Sequence, residues 1–365
     1  MDEKIGVVCI TRQGINIARK IKGFLPSVVI YAQSKHNDSR NDIIWYEDSA
    51  SNVMSMAFQK HSALICIFSL GAVIRLISPL VLSKKTDPAV LVVDDKANFV
   101  ISALSGHLGG ANELARKVAN QLNSRAVITT AADVNETIAV DLLGRDLGWT
   151  IENYENVTKV SAFVVNEERV GIFQDAGQKN WWPQKNLPKN LVLVDSLEDL
   201  LAPEFKGGII ISDRVVIQKA LVEKSVIYRP KSLVVGVGLH RDTSAEDIGN
   251  GIEEVFKKSQ LVFTSVRNIS TIDSHEFNSG LRNFSNERHV PLILYSKESL
   301  ADVIVPNPSQ IVRKYEGINS VSEASAILSS GGNLIVSKRK FPPNLTLAVA
   351  RIDTGEGHEK GNTVN

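Results

Sequence analysis

The chain has 365 residues, with 41 Lys and Arg against 40 Asp and Glu, and its formal net charge is +1. This length is sufficient for two or three domains, each with a core of its own. So small a net charge argues against a protein that binds nucleic acid or a membrane surface, and no apolar run is long enough to span a bilayer. The opening residues lack the features of a signal peptide, so we expect a cytoplasmic protein.

Strand-like and helix-like segments alternate through the first 150 residues. Strands are predicted at 4–10, 27–32, 63–69, 89–95, 99–104 and 126–130. Helices are predicted at 14–22, 51–60, 72–81, 111–122 and 136–147. This alternation indicates an α/β fold in which a mostly parallel sheet is covered by helices on both faces, a three-layer α/β/α domain. We place this N-terminal domain at residues 1–135.

The remaining chain is predicted to form two further α/β units. A small middle domain is expected at 136–228, where short apolar runs at 169–174, 191–194 and 208–212 read as strands. A C-terminal α/β domain is expected at 229–353. It opens with a buried strand at 233–238 and a helix at 244–257 that begins at a capping box. Residues 354–365 are polar and rich in glycine, so we expect a disordered tail.

A glycine-rich turn joins the predicted strand 99–104 to the predicted helix 111–122. This Gly turn (residues 105–110) contains Gly106, Gly109 and Gly110, and it carries His107. A helix start has backbone N–H groups without partners, and glycine lets an anion approach them closely. The turn therefore predicts an anion-binding site with a titratable ring inside it. The alternative is an ordinary strand–turn–helix junction that binds nothing. The glycine spacing matches neither a dinucleotide fingerprint nor a P-loop.

Polar side chains also follow the predicted strand 126–130. Ligands of open α/β sheets gather at the carboxyl ends of strands. If this strand neighbours strand 99–104, one group of polar side chains converges: Ser105, His107, Thr129, Thr130 and Asp133. The alternative is that Asp133, or Asn135, is the N-cap of the following helix. Asp141 is expected on the following helix, as a solvated or a functional residue. No pair of histidines has metal-ligand spacing, so no metal bound by the protein is expected.

Two arginines are candidates for holding a substrate carboxylate. Gly71 and Arg75 lie at the start of the predicted helix 72–81, where a cation is poorly matched to the helix dipole. Arg75 therefore needs either a structural salt bridge or a carboxylate of a ligand, which its guanidinium could bind through two N–H groups. Arg241 lies in a second strand–turn–helix junction, after the strand at 233–238.

The motifs of the chain, taken together, resemble the cobalamin biosynthesis protein G family, which comprises the cobalt-precorrin-5A hydrolases. In the N-terminal unit the resemblance lies in residues 71–75 with Pro79, 87–94, 105–115, 127–133 and 139–141. In the C-terminal unit it lies in residues 236–238, Arg241, 243–246, 272–273, 306–309, 320–324 and 347–351. The chain departs from the family pattern at Leu239 and His240 and near His275.

The resemblance implies a hydrolase of cobalamin biosynthesis. Its substrate would be cobalt-precorrin-5A, a cobalt-containing tetrapyrrole with a δ-lactone and many carboxylates. Water opens the lactone, acetaldehyde leaves, and cobalt-precorrin-5B is formed. The cobalt belongs to the substrate, so no separate cofactor is expected. The partner is this small molecule rather than nucleic acid or a membrane, and a homodimer is a further expectation.

The resemblance also suggests roles for the residues. His107 would be the general base for water, oriented by Asp133, and the backbone N–H groups of Gly109, Gly110 and Ala111 would hold the oxyanion. His107 could instead donate a hydrogen bond to a substrate carboxylate or ligate the cobalt. The residues expected to bind substrate are Gly71, Arg75, Ser105, Gly106, Gly109, Gly110, Asn112, Thr129, Thr130 and Arg241.

Two other classes of protein remain open at this stage. The first is an α/β enzyme that binds a nucleotide phosphate at the Gly turn. The second is a protein that binds corrinoids without turning them over, which the departures in the C-terminal unit make conceivable.

Overall fold

The computed structural model describes residues 5–84, 86–182, 186–273, 279–310 and 317–354. The chain divides into two compact units, Met1–Leu142 and Leu143–Asn365. None of the helices in these described ranges is both long and apolar enough to cross a membrane. The predicted α/β class is correct: the described residues form three β-sheets together with helices, one sheet in the first unit and two in the second. The domain boundaries inferred from the sequence stay predictions.

The first unit contains a seven-stranded sheet in the order β3-β2-β1-β4-β5-β6-β7. Its strands are β1 Ile5–Cys9, β2 Val29–Gln33, β3 Ile44–Tyr46, β4 Ala63–Ile67, β5 Ala89–Val93, β6 Phe99–Leu104 and β7 Arg125–Val127. All neighbours are parallel except β5 and β6, which pair antiparallel. The sheet is thus mostly parallel, as predicted, with one reversal of direction.

Helices cover both faces of this sheet, which confirms the three layers. They are α1 Arg12–Phe24, α2 Ala50–Lys60, α3 Leu70–Ile77, α4 Ala111–Leu122 and the short α5 Ala131–Val134. The apolar stripes of α1 and α4 pack on one face of the sheet. Those of α2 and α3 pack on the other. The bounds predicted for β6 and α4 agree with the structure, because both end at glycines or polar residues and have clear periodicities.

The reversal at β6 decides where the Gly turn lies. A tight connection turns the chain back after β5, and the Asp94 carboxylate accepts the Phe99 N–H at 2.6 Å. Val90 at the start of β5 therefore pairs with Leu104 at the end of β6. The Gly turn follows β6 and lies at the edge where β4 and β5 begin. Gly71 follows the carboxyl end of β4, so it belongs to the opposite edge of the sheet.

The helix predicted at 136–147 is wrong. Residues 137–139 have no regular structure, 140–144 form turns, and only Arg145–Leu147 form a single 3₁₀ turn. Gly144 adopts φ +71°, and a Cβ there would lie 2.0 Å from the Trp149 side chain, so the chain turns where a helix would continue. Asp141 consequently lies in a turn rather than on a helix.

The second unit contains two five-stranded sheets. The middle sheet has the order β10-β9-β11-β12-β8, with β8 Thr150–Ile151, β9 Val170–Gln174, β10 Leu191–Val194, β11 Gly207–Ile211 and β12 Ser225–Arg229. The C-terminal sheet has the order β15-β14-β13-β17-β16, with β13 Leu233–Leu239, β14 Val266–Ile272, β15 Leu292–Tyr295, β16 Leu334–Phe341 and β17 Leu345–Arg351. The α-helices among the described residues of this unit include α6 Val157–Val165, α7 Lys219–Lys224, α8 Ala245–Ser259, α9 Ser279–Glu287, α10 Lys297–Ala301 and α11 Val321–Ser330.

A buried ion pair ties these two sheets together. Asp213, which follows β11, is 0% exposed. Its carboxylate accepts two hydrogen bonds from the guanidinium of Arg351 at the end of β17, at 2.6 and 2.9 Å. The Ser232 hydroxyl, just before β13, donates a third at 2.8 Å. These three hydrogen bonds go to one carboxylate that is not exposed to solvent. The pair therefore holds the middle sheet to the C-terminal sheet.

Candidate active site

The Gly turn closes on its own backbone. The Gly110 N–H donates to the His107 carbonyl at 2.9 Å, the Ala111 N–H to Ser105 at 3.2 Å, and the Asn112 N–H to Gly106 at 3.0 Å. The expectation that Gly110 and Ala111 hold a substrate oxyanion is therefore wrong for this conformation, because their N–H groups are already used. The Gly109 N–H makes no hydrogen bond within the described part of the chain, and Gly109 is exposed. It remains a candidate donor.

Two glycines of the turn are required by close contacts. A Cβ at Gly109 would lie 2.4 Å from the Ser105 Cβ and 2.8 Å from the Ser105 carbonyl oxygen. A Cβ at Gly106 would lie 2.8 Å from Oδ1 of Asn112, whose amide is buried. Gly110 has φ +82°, a conformation that disfavours other residues. The turn can therefore adopt this conformation only with glycine at these positions.

We expect the substitution Gly109→Ala to destabilise the protein by about 1–3 kcal/mol, because backbone atoms of the turn must move to admit the methyl group. The measurement is urea unfolding of both proteins. Gly23→Ala in α1 is the matched control, since an added Cβ there has no neighbour within 4 Å. A Gly109→Ala protein as stable as this control would contradict the account of the turn.

His107 lies between two carboxylates. Its Nε2 is 2.8 Å from Oδ2 of Asp133, and its Nδ1 is 3.4 Å from Oδ1 of Asp141. The three side chains are 15–17% exposed, so they are half-buried but still reached by solvent. This confirms the predicted contact between His107 and Asp133, which arises because β6 and β7 are parallel neighbours. Asp141 is a partner that the sequence did not reveal.

The helix α4 anchors Asp133. Asn112 and Arg116 are four residues apart and therefore share one face of α4. The Asn112 amide donates to Oδ2 of Asp133 at 2.8 Å and to the Thr130 hydroxyl at 2.9 Å. The Arg116 guanidinium donates to Oδ1 of Asp133 at 2.5 Å. Both oxygens of this carboxylate are thus held by nitrogen donors, one of them charged.

The electrostatics favour an imidazolium at His107. The Asp141 carboxylate beside Nδ1 raises the pKa of His107, burial opposes this, and the hydrogen bond to Asp133 raises it further. Burial by itself would raise the pKa of Asp133 and of Asp141, but the Arg116 and His107 partners of Asp133, and the His107 partner of Asp141, lower them overall. A neutral ring would turn one lone pair towards a carboxylate. A cation between two anions avoids this repulsion.

This arrangement revises the role expected of His107. An imidazolium whose two N–H groups face carboxylates has no lone pair with which to accept a proton from water or to ligate cobalt. The expectation of a histidine base is therefore not supported by this conformation, whereas a hydrogen-bond donor is. The two carboxylates lie on opposite sides of the ring, and no group of three His, Cys, Asp or Glu residues in the described ranges could hold a metal ion.

The other residues predicted near the Gly turn are placed as follows. The Ser105 hydroxyl donates to the Asp87 carbonyl at 3.0 Å, so it fastens the turn to the segment before β5. Thr130 accepts from Asn112, whereas Thr129 is exposed. The alternative of an N-cap for the helix predicted at 136–147 is wrong, because that helix is absent and Asp133 lies within α5, whose N-cap is Thr130.

The two candidate arginines are not part of this cluster. Arg75 is exposed on α3 and makes no ion pair with the residues the structure describes, so its expected salt bridge is absent there. Neither Gly71 nor Arg75 has a hydrogen bond to the Gly turn among the same residues. Arg241 belongs to the second unit, where its Nε lies 3.6 Å from the Asp242 carboxylate. The substrate contacts expected of all three stay predictions.

The positions that depart from the family pattern lie in the second unit. Leu239 ends β13, and the His240 N–H donates to the Asn344 carbonyl at 3.1 Å. His275 lies outside the described residues.

Comparison with known proteins gives matches along most of the chain. The family model for the cobalamin synthesis G N-terminal region matches residues 52–133, which include the Gly turn and Asp133. The cobalamin biosynthesis central region matches 138–230, and the cobalamin synthesis G C-terminus matches 233–350.

Individual relatives extend over nearly the whole chain. A cobalt-precorrin-5A hydrolase of Priestia megaterium is 39% identical over 352 residues, 95% of this chain and 94% of its own. One from Salmonella typhimurium is 31% identical over 351 residues, 95% of this chain and 98% of its own. A solved cobalamin biosynthesis protein G homologue from Sulfolobus solfataricus is 24% identical, with a TM-score of 0.38, over 96% of this chain and 97% of its own. The chain therefore belongs to the cobalamin synthesis G family.

Proposed function

We propose that the protein hydrolyses cobalt-precorrin-5A in cobalamin biosynthesis, opening the δ-lactone and releasing acetaldehyde to give cobalt-precorrin-5B. The observation that carries this proposal is the 39% identity to a cobalt-precorrin-5A hydrolase over 95% of the chain. The half-buried His107, Asp133 and Asp141 supply acid–base groups of the kind that such a hydrolysis needs.

The site would stabilise charge that develops during lactone opening. When water attacks the lactone carbonyl, its oxygen becomes an oxyanion, and a nearby cation with an N–H group lowers the barrier to that step. The His107 imidazolium is such a group, because Asp133 holds its Nε2 side and leaves the looser Nδ1 side for a ligand. The exposed Gly109 N–H is a second donor on the same turn. Cobalt enters as part of the substrate, and we propose no separate cofactor.

The alternative of a nucleotide-binding enzyme is less well supported. Phosphate recognition at a helix start depends on N–H groups that point outwards. In the Gly turn those of Gly110, Ala111 and Asn112 donate to carbonyl groups of the turn itself. A cytoplasmic location and a homodimer stay predictions.

Anaerobic incubation with cobalt-precorrin-5A tests the proposed function. We expect stoichiometric acetaldehyde and a product with the mass of cobalt-precorrin-5B. A spectral change of the bound corrinoid without acetaldehyde would instead identify a protein that binds corrinoids without turnover. If the protein neither binds the corrinoid nor releases acetaldehyde, the proposed function is wrong.

A further inference from the structure

The two carboxylates beside His107 differ in how firmly they are held. Asp133 accepts from three side chains: His107, Asn112 and Arg116. Asp141 faces the same imidazole at 3.4 Å rather than 2.8 Å. Its own backbone N–H and the longer-range charge of Lys84 also lower the pKa of Asp141. The cluster therefore has one fixed carboxylate and one loosely held carboxylate.

We propose that Asp141 is the catalytic base of the hydrolysis, accepting a proton from the attacking water, while Asp133 is a positioning residue that holds the His107 imidazolium. This inference rests on the proposed function and adds the residue that activates water. It also replaces the histidine base expected from the sequence.

The geometry excludes the other two side chains from this role. His107 has both ring nitrogens directed at carboxylates, so it offers no lone pair. Protonating Asp133 would weaken its contact with the Arg116 guanidinium, and the Asn112 amide would then donate to a poorer acceptor. Asp141 is ionised near neutral pH, because the imidazolium lowers its pKa against the effect of burial. Its side chain is 15% exposed, so water reaches it.

The proposed step balances in atoms and protons. A substrate carbonyl oxygen accepts a hydrogen bond from the Nδ1–H of His107, which keeps its proton and whose present contact with Asp141 is the longer of the two. Water adds through its oxygen to the lactone carbonyl carbon, and one water proton passes to Asp141. As the tetrahedral intermediate collapses, the ring C–O bond breaks and the departing alkoxide takes that proton. This completes the lactone opening; acetaldehyde then leaves as the adjacent C–C bond breaks, and the proton of the new alcohol passes to the carbon left behind. Asp141 returns to a carboxylate, and no oxidant or reductant is needed.

The test compares Asp141→Asn with the wild type and with Asp146→Asn. Asn keeps the size of the side chain but cannot accept a proton. We expect kcat for acetaldehyde release to fall about 10²- to 10⁴-fold with KM little changed. Asp146 is an exposed carboxylate five positions along the chain, and its loss should leave kcat at the wild-type level.

A second variant separates a base from a structural carboxylate. In Asp141→Ala, added formate should restore kcat in a concentration-dependent way, because a small carboxylate can occupy the vacated space. Asp141→Glu keeps the charge but displaces it, and a loss of about 10- to 100-fold is expected. Corrinoid binding and thermal unfolding of each variant establish that it is folded.

The outcomes distinguish a failure of the Asp141 assignment from a failure of the proposed function. If the wild type releases no acetaldehyde, the proposed function fails. If the wild type is active and Asp141→Asn and Asp141→Glu keep kcat near its level, the base assignment is overturned and the function stands. Loss of activity in Asp141→Ala that formate does not restore would also overturn it, in favour of a purely structural carboxylate.

Discussion

Replacing His107 by alanine is expected to lower kcat for acetaldehyde release about 10²- to 10⁴-fold. The substitution removes the only cation that touches both Asp133 and Asp141 among the residues the structure describes. Without it, the developing oxyanion would meet two negative charges instead of an N–H donor. Asp133 keeps its contacts with Asn112 and Arg116, so the fold around it should persist. The measurement is single-turnover acetaldehyde release with saturating cobalt-precorrin-5A.

His107→Gln is the graded control for this prediction. Glutamine offers one N–H group of similar reach but no positive charge, so we expect a smaller loss of kcat than with alanine. A raised KM with kcat largely unchanged in both variants would mean that His107 only binds a substrate carboxylate. Near-normal turnover by His107→Ala would remove His107 from the reaction.

Replacing Arg351 by alanine is expected to destabilise the second unit by about 3–5 kcal/mol. The guanidinium supplies two of the three hydrogen bonds to Asp213, whose side chain is 0% exposed. Its removal leaves a buried carboxylate with the Ser232 hydroxyl as its remaining side-chain partner among the described residues. Desolvation of such a charge is not compensated by water, and the middle and C-terminal sheets lose their shared anchor. Equilibrium unfolding in urea measures the effect.

Arg214→Ala is the matched control for Arg351→Ala. Arg214 pairs with Asp175 at 3.7 Å, but its side chain is 51% exposed. Exposed pairs contribute about 0–1 kcal/mol, so this variant should unfold close to the wild type. Equal stabilities of the two arginine variants would contradict the account of the buried pair.

The secondary-structure elements that carry the candidate site were predictable from the sequence. Strand β6 and helix α4 are recognisable because an apolar run of strand length is followed by glycines and then by a clear helical period. The meeting of His107 with Asp133 follows from two neighbouring parallel strands, β6 and β7. Arg116 could also have been found, since it lies one helical turn after Asn112 on the same face of α4.

Other features depend on contacts that a linear pattern does not encode. An apolar run does not specify its direction, so the reversal of β6 against β5 was not visible. Glycines permit a backbone to approach an anion, but they equally permit the turn to close on its own carbonyl groups, as it does here. Asp141 was expected on a helix, and its place beside His107 depends on a turn that ends at Gly144.

The pH dependence of kcat for acetaldehyde release tests most directly whether His107 works as an imidazolium. The raised pKa of His107, above its ordinary value of 6.5, and the lowered pKa of Asp141, below its ordinary value of 3.8, predict that kcat stays level between pH 3.8 and 6.5 and declines as the pH rises through the pKa of His107. In His107→Gln this alkaline decline should disappear. A kcat that instead increases as the pH rises through 6.5 and then stays level would contradict the account, because it would show that a neutral imidazole does the work.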